Sequence, residues 1–302
     1  MLLTDPNEKS QLKALEERYV EGVGVANRPG GNARPDAACW AILALQAAGG
    51  DGHVIDKARR LLANTQGPDG RISVSPHNPD ACWPTSLAVL AWHGAPEYRE
   101  PQARAIRFMV DFDDIKILDP SETTRGHDET IKGWPWIART HPWVEPTAYA
   151  TLALRACGYT THARAQDAIR LLLDRQLPSG GWNCGNTITF GLEMRPMPET
   201  TGLSLQALAG LAPKAAVEKS IAYLRSQLEF LNSPISLAWA ILGLHAWQET
   251  IDRPQERIRR VLSRQEELGP HDTASLSLLL LAWHCEKGMV RVFDHTDSQD
   301  EK

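Results

Sequence analysis

The sequence predicts an all-α fold, with six helical hairpins closed into an inner and an outer ring. Three observations predict it. A phrase made of an acidic or small polar residue, Pro or Thr, a small residue and an Ala/Leu-rich run recurs six times along the 302 residues. A second, more polar helical stretch precedes each copy. No segment shows the two-residue alternation expected of strands. A unit repeated from end to end marks a repeat architecture, in which each unit buries its apolar face against its neighbours.

Taken in order, a weaker outer stretch at 10–20 precedes the first inner copy, Asp36-Ala-Ala-Cys-Trp-Ala-Ile-Leu-Ala-Leu45. Ala58-Arg-Arg-Leu-Leu-Ala-Asn-Thr-Gln66 precedes Trp83-Pro-Thr-Ser-Leu-Ala-Val-Leu-Ala-Trp92. Ala105-Ile-Arg-Phe-Met-Val-Asp111 precedes Glu145-Pro-Thr-Ala-Tyr-Ala-Thr-Leu-Ala-Leu154. Ala168-Ile-Arg-Leu-Leu-Leu-Asp-Arg-Gln176 precedes Glu199-Thr-Thr-Gly-Leu-Ser-Leu-Gln-Ala-Leu208. Ile221-Ala-Tyr-Leu-Arg-Ser-Gln227 and Ile258-Arg-Arg-Val-Leu-Ser-Arg-Gln265 precede the copies that start at Ser233 and His271.

The outer stretches carry apolar residues on one helical face and Arg, Lys or Gln on the other, whereas the inner ones are apolar nearly all round. Pro84, Pro146 and Pro234, each beside Trp, Glu or Ser and followed by Thr or Ile, suit helix starts. With the inner helices parallel, their first residues form one ring at one mouth: Asp36, Trp83, Glu145, Glu199, Ser233 and His271. The connections 113–144 and 177–198 are too long for turns and rich in Gly, Pro and Trp, so they are expected to lie over that mouth and to carry function. One domain is expected over 1–285, followed by a polar tail over 286–302.

Composition narrows the function. Ten Trp and 42% hydrophobic residues supply a core, and a net charge of −5 argues against a nucleic-acid surface. No apolar run approaches the length of a membrane span, and the start lacks the apolar stretch of a secretion signal. Cys39, Cys82, Cys157, Cys184 and Cys285 are odd in number and show no pairing rhythm. Reduced thiols in a cytoplasmic protein are the expectation.

Leu172-Leu-Asp-Arg-Gln176-Leu-Pro-Ser-Gly180-Gly181-Trp182 closely resembles the QW repeat of squalene–hopene and oxidosqualene cyclases and of protein prenyltransferase β subunits. Leu62-Ala-Asn-Thr-Gln66-Gly-Pro-Asp-Gly70-Arg71 is a copy without the Trp, and Ile131-Lys-Gly133-Trp134-Pro-Trp136 looks like a degenerate third. The resemblance, covering roughly 5–285, implies an α/α toroid, in which Gln66, Gln176 and Trp182 stabilise helix ends. It also implies an isoprenoid-handling enzyme of the class II terpenoid cyclase type. Such cyclases start by protonating an alkene or epoxide with an Asp of a DxDD motif placed before Thr-Ala at an inner-helix start.

Asp111-Phe-Asp113-Asp114 has the letters of that motif but matches Asp174-Arg-Gln176 of the next outer stretch, so it belongs at an outer-helix end. With the family's Thr-Ala laid on Thr147-Ala148, the middle acid falls on Glu145, and the flanking acids become Trp143 and Pro146. Glu199 and Asp36 occupy the same slot in other repeats. A Glu at a helix start is ordinarily stabilised by the helix dipole. Two acids in adjacent repeats would also raise one another's proton affinity, as acid catalysis requires. Glu145 and Glu199, with Asp36, are the candidate catalytic acids. Trp83, Trp134, Trp136, Trp143 and Tyr149, with His271, are the candidate substrate-binding residues, because ring faces stabilise passing positive charge.

Other readings stay open. A zinc-dependent prenyltransferase-like site would draw on Asp36, Cys39 and His271, or on the Asp-x-Cys form of Asp80-Ala-Cys82. No resident metal is expected, although Mg²⁺ or Zn²⁺ would fit these alternatives. Asp113-Asp114 lacks the further acid of a magnesium motif at the right offset, with Asp119 alone following, and Arg125, Lys132 and Arg139 form no diphosphate clamp. Polysaccharide lyase or hydrolase chemistry, and a non-catalytic toroid binding a protein or lipid partner, complete the set. The expected partner is a hydrophobic isoprenoid small molecule and not nucleic acid. A second subunit or homodimer and a peripheral membrane contact are left open.

Overall fold

Proline at the first positions starts four inner helices, because its fixed φ suits a helix start and its missing N–H is not needed there. These are α2 (Pro35–Ala48), α4 (Pro84–Trp92), α8 (Pro198–Leu208) and α10 (Pro234–Ala246); α6 (Val144–Ala156) and α13 (Thr273–His284) complete the inner set. The outer set is α1 (Pro6–Glu16), α3 (Gly52–Asn64), α5 (Arg99–Asp111), α7 (Ala163–Asp174), α9 (Lys214–Gln227) and α11 (Pro254–Ser263), with the short α12 (Gln265–Leu268) after it. The computed structural model describes residues 6–117 and 126–286; Asp119, Arg125 and the tail beyond 286 lie outside the described residues.

The inner helices form a closed cycle. Each packs on the next in chain order, and α13 packs on α2. Outer helices α3, α5, α7, α9 and α11 each lie against the inner helix before them, and α1 lies against both α2 and α13. The architecture is therefore the all-α toroid that the repeats predict. Two short hairpins were not foreseen: β1 (Tyr19–Val20) with β2 (Gly24–Val25), and β3 (Ile188–Thr189) with β4 (Leu192–Glu193).

The ring is tightest between α8 and α10. A Cβ on Gly202 would lie 2.2 Å from the Trp239 carbonyl oxygen, and one on Gly243 would lie 2.5 Å from that of Gly202. No larger residue fits at either position, so the two backbones touch there.

Threonines near the inner-helix starts pin the incoming loops. The backbone N–H groups of Ile72, Trp134 and Trp182 donate to Thr85, Thr147 and Thr201 Oγ1, each at 2.9 Å. The QW-like residues tie one hairpin to the next. Gln66 Nε2 donates to the Pro101 carbonyl of α5, Gln176 Nε2 donates to Ser220 Oγ of α9, and Trp182 Nε1 donates to Leu172 O.

The mouth formed by the inner-helix N-termini also differs from the other face in its surface. Among the described residues, the exposed large hydrophobic side chains, except Tyr159, lie on segments entering inner helices or in their first turn. Phe190 is 99% exposed at the β3–β4 tip, and Phe230 and Leu268 are also exposed. No helix among the described residues is long and apolar enough to cross a membrane.

Candidate active site at the inner-helix mouth

The second residue of α2, α6 and α8 is acidic in each case: Asp36, Glu145 and Glu199. Their surroundings separate them. Asp36 receives two bonds from the Arg34 guanidinium, Nε to Oδ1 at 2.9 Å and Nη2 to Oδ2 at 3.0 Å. Both its oxygens are engaged by that guanidinium. Glu199 Oε2 accepts the Ser236 hydroxyl at 2.8 Å.

Glu145 is different. Its Oε1 accepts the Thr200 hydroxyl at 3.1 Å, while its buried Oε2 meets no hydrogen-bond partner. Burial pushes its carboxyl above the ordinary glutamate range, against the hydrogen bonds it receives, and the Glu199 charge next door adds to the rise. The Cys184 thiol, beside this carboxyl, is pushed up first by burial and then by the Glu145 charge. A carboxyl whose proton affinity is raised by burial suits the part of a general acid.

One helical turn below Glu145 on α6, Tyr149 stands at the centre of a cluster of indoles. Its ring lies 5.8 Å from Trp40, 6.2 Å from Trp83, 6.4 Å from Trp136 and 6.3 Å from Trp239. Trp40 and Trp239 also meet edge to face at 5.9 Å, as do Trp83 and Trp136 at 5.1 Å. Burial drives the phenol of Tyr149 above its ordinary range, and the carboxylates of Glu145 and Asp36 add to that. Aromatic faces gathered beneath an acid can stabilise a cation formed near them.

The structure thus brings Glu145, Glu199, Trp83, Trp136 and Tyr149 to one mouth and sends others elsewhere. Trp134 is buried under the Arg164 guanidinium, 4.3 Å from its ring centroid, in the same loop-pinning position as Trp182. Trp143 stacks on His141 at 5.1 Å and lines a small pocket with His127, Glu129 and Arg175. His271 precedes the cap of α13, which is Asp272, and its ring faces the Val261 carbonyl on outer helix α11. Trp134, Trp143 and His271 therefore do not shape the Tyr149 cluster. Trp40 and Trp239 belong to it although sequence reasoning passed over them. Trp40 follows Asp36 by the same four residues that separate Tyr149 from Glu145, a signal the repeat alignment contained.

Asp113 and Asp114 are exposed and paired with Lys132 and Arg139, so that acidic cluster is a solvated loop tie. Arg139 also pairs with Asp80. Asp36, Cys39 and His271 do not converge: among the described residues no group of three His, Cys, Asp or Glu is placed to hold a metal ion. The two long connections do meet beside the mouth, with His127 Nδ1 3.3 Å from Thr187 Oγ1 and Val144 N donating to Cys184 O at 3.1 Å.

A cavity of about 740 Å³ opens beside the mouth, between the start of α2, the end of α3, β2 and the loop after Thr65. Its walls include Val25, Ala38, Leu61 and Leu62.

No family model matches the chain, and no curated protein matches it by sequence. Solved structures do share its fold. A protein from Actinoplanes superposes with a TM-score of 0.59 at 16% identity, over 95% of this chain and 99% of that one. A variant of the type II terpene cyclase MstE from Scytonema, in complex with geranylgeranyl dihydroxybenzoate as substrate, gives 0.54 at 14% identity, over 95% and 97%. Another variant of that cyclase, in complex with merosterolic acid A as product, gives 0.54 at 15% identity, over 93% and 98%. The chain has a terpenoid cyclase-like fold, and the likeness runs through nearly the whole of both chains.

Proposed function

We propose that this protein is an enzyme of the class II terpene cyclase type, in which Glu145 protonates a polyprenyl substrate at the inner-helix mouth. The observation that carries the reading is the pairing of a carboxyl whose proton affinity burial raises with the aromatic cluster one turn away. The Glu145 O–H bond breaks as a C–H bond forms at one end of an alkene (or the proton opens an epoxide), leaving a tertiary carbocation. Alkene π electrons then close a ring, moving the positive charge along the chain past Tyr149, Trp40, Trp83, Trp136 and Trp239. Loss of a proton from a neighbouring carbon to a basic group restores a double bond, so an alkene substrate is isomerised without net loss of atoms. Glu199 acts as a positioning residue whose charge helps keep Glu145 protonated.

The solved terpene cyclase complexes support a hydrophobic isoprenoid as the substrate class. The exposed apolar tips on the mouth side give the same reading a route to a membrane-borne substrate. The test is incubation of purified protein with farnesyl, geranylgeranyl and squalene-type substrates, with and without Mg²⁺ or Zn²⁺, followed by mass spectrometry. Cyclised product formed without added metal is the expected result; no turnover of any of them removes the reading.

A further inference from the structure

We propose that the 740 Å³ cavity beside the mouth is a second ligand site, which takes a neutral, branched aliphatic chain. It is separate from the Glu145 site, since neither Glu145 nor any residue of the Tyr149 cluster lines it.

The internal repeats show where the cavity lies, beside the first of three similarly pinned loops. Three loops are pinned in the same way by Thr85, Thr147 and Thr201, and the pinned residues are Ile72, Trp134 and Trp182. In the third copy the Trp182 indole runs under its hairpin and donates to Leu172 O at 2.6 Å. Its counterpart in the first copy is the shorter Ile72, which carries no donor. The corresponding Leu62 carbonyl takes the Thr65 hydroxyl instead, at 2.7 Å, and Leu62 and Thr65 both line the cavity.

The chemistry of the walls selects the ligand. The volume falls within the roughly 300–1,000 Å³ of small-molecule pockets. Val25, Leu61, Leu62 and Val74 offer branched aliphatic contact. The two cations that line the cavity are already neutralised: Arg34 by Asp36, and Arg71 by Asp69. An anionic head such as a diphosphate would have to break one of these pairs, whereas a hydroxyl or a bare hydrocarbon end would not. Asn64 and Ser75 line the cavity and can bond a neutral polar end.

The test uses farnesol and farnesyl diphosphate as probes of equal chain length and different charge, with the full-length protein in equilibrium dialysis. Farnesol is expected to occupy a saturable site in the wild type. Two independent substitutions of half-buried wall residues fill the cavity: Val74→Trp from the loop and Leu61→Trp from α3. Each should weaken farnesol binding at least about ten-fold while retaining the helical circular dichroism of the wild type. Glu145→Gln should bind farnesol as the wild type does, and farnesyl diphosphate should bind more weakly than farnesol. Absence of farnesol binding to the wild type, unchanged binding in both filled variants, or tighter binding of the diphosphate would overturn the proposal. Because the readout is binding alone, it stands or falls independently of whether Glu145 turns over a substrate.

Discussion

Glu145 and Thr200 open consecutive inner helices and are joined across the mouth, the Thr200 hydroxyl donating to Glu145 Oε1 at 3.1 Å. One repeat later Ser236 donates in the same sense to Glu199, at 2.8 Å. Each acid is therefore held by the start of the next helix, and closure of the ring determines where these carboxyls point. What distinguishes Glu145 is a second oxygen with no hydrogen-bond partner and a proton affinity raised by burial of its carboxyl.

That burial has a sign that can be measured. A carboxyl whose folded pKa is raised favours the fold below the ordinary glutamate value and loses that contribution as pH rises through the raised value. Glu145→Gln removes the titration. Relative to the wild type, the variant should therefore gain stability as pH climbs from about 4.3, the ordinary glutamate value, through the raised value. Thermal unfolding of both proteins across that window is the measurement; a constant difference in Tm would show that Glu145 titrates normally.

The contact of α8 with α10 gives a second expectation. Gly202→Ala places a methyl 2.2 Å from the Trp239 carbonyl oxygen, against backbone that has no room to yield. The cost should be about 1–3 kcal/mol or more, as for other overpacked sites, read as a lower urea midpoint. A variant as stable as the wild type would mean that the helices are further apart.

Thr201 both accepts from the Trp182 N–H and donates to the Trp182 carbonyl, and it is fully buried. Thr201→Val keeps the shape and orphans both backbone groups, so about 1–3 kcal/mol should be lost. The same change at Thr85, which bonds Ile72 in the same two ways, should cost a similar amount if the loops are pinned by one mechanism. Denaturant unfolding of the two variants compares them directly.

The apolar tips at the mouth carry a further expectation. Replacing both Phe190 and Phe230 by Ser should abolish co-sedimentation of the protein with phosphatidylcholine vesicles. Equal sedimentation of the double variant and wild type, or none by either, would deny those tips a membrane role.

The repeated phrase made the ring of helices legible, because apolar periodicity and proline-led starts are local signals. The acid slot was legible for the same reason: Asp36, Glu145 and Glu199 do share one position in their helices. What separates them is tertiary. The Arg34 fork on Asp36 and the unpartnered oxygen of Glu145 depend on the packing of neighbouring elements. The aromatics were harder to sort. Trp134 and Trp143 lie in a Trp-rich loop near the mouth in sequence, yet one is clamped beneath Arg164 and the other stacks on His141. Trp40 and Trp239 lie inside apolar helices, where an indole reads as core filling until the ring closes and faces them toward Tyr149. His271 precedes its inner helix instead of opening it, because α13 begins at Thr273 after an Asp272 cap.

The central claim is that Glu145 delivers the proton, and single-turnover measurement of cyclised product by wild type, Glu145→Gln and Glu199→Gln tests it most directly. The account predicts that Glu145→Gln slows the chemical step by about 10²–10⁴-fold, the usual worth of a positioned general acid. Glu199→Gln should retain activity and shift its pH profile to lower pH, because the charge that helps hold the proton on Glu145 is gone. Wild-type rates in Glu145→Gln would contradict the account.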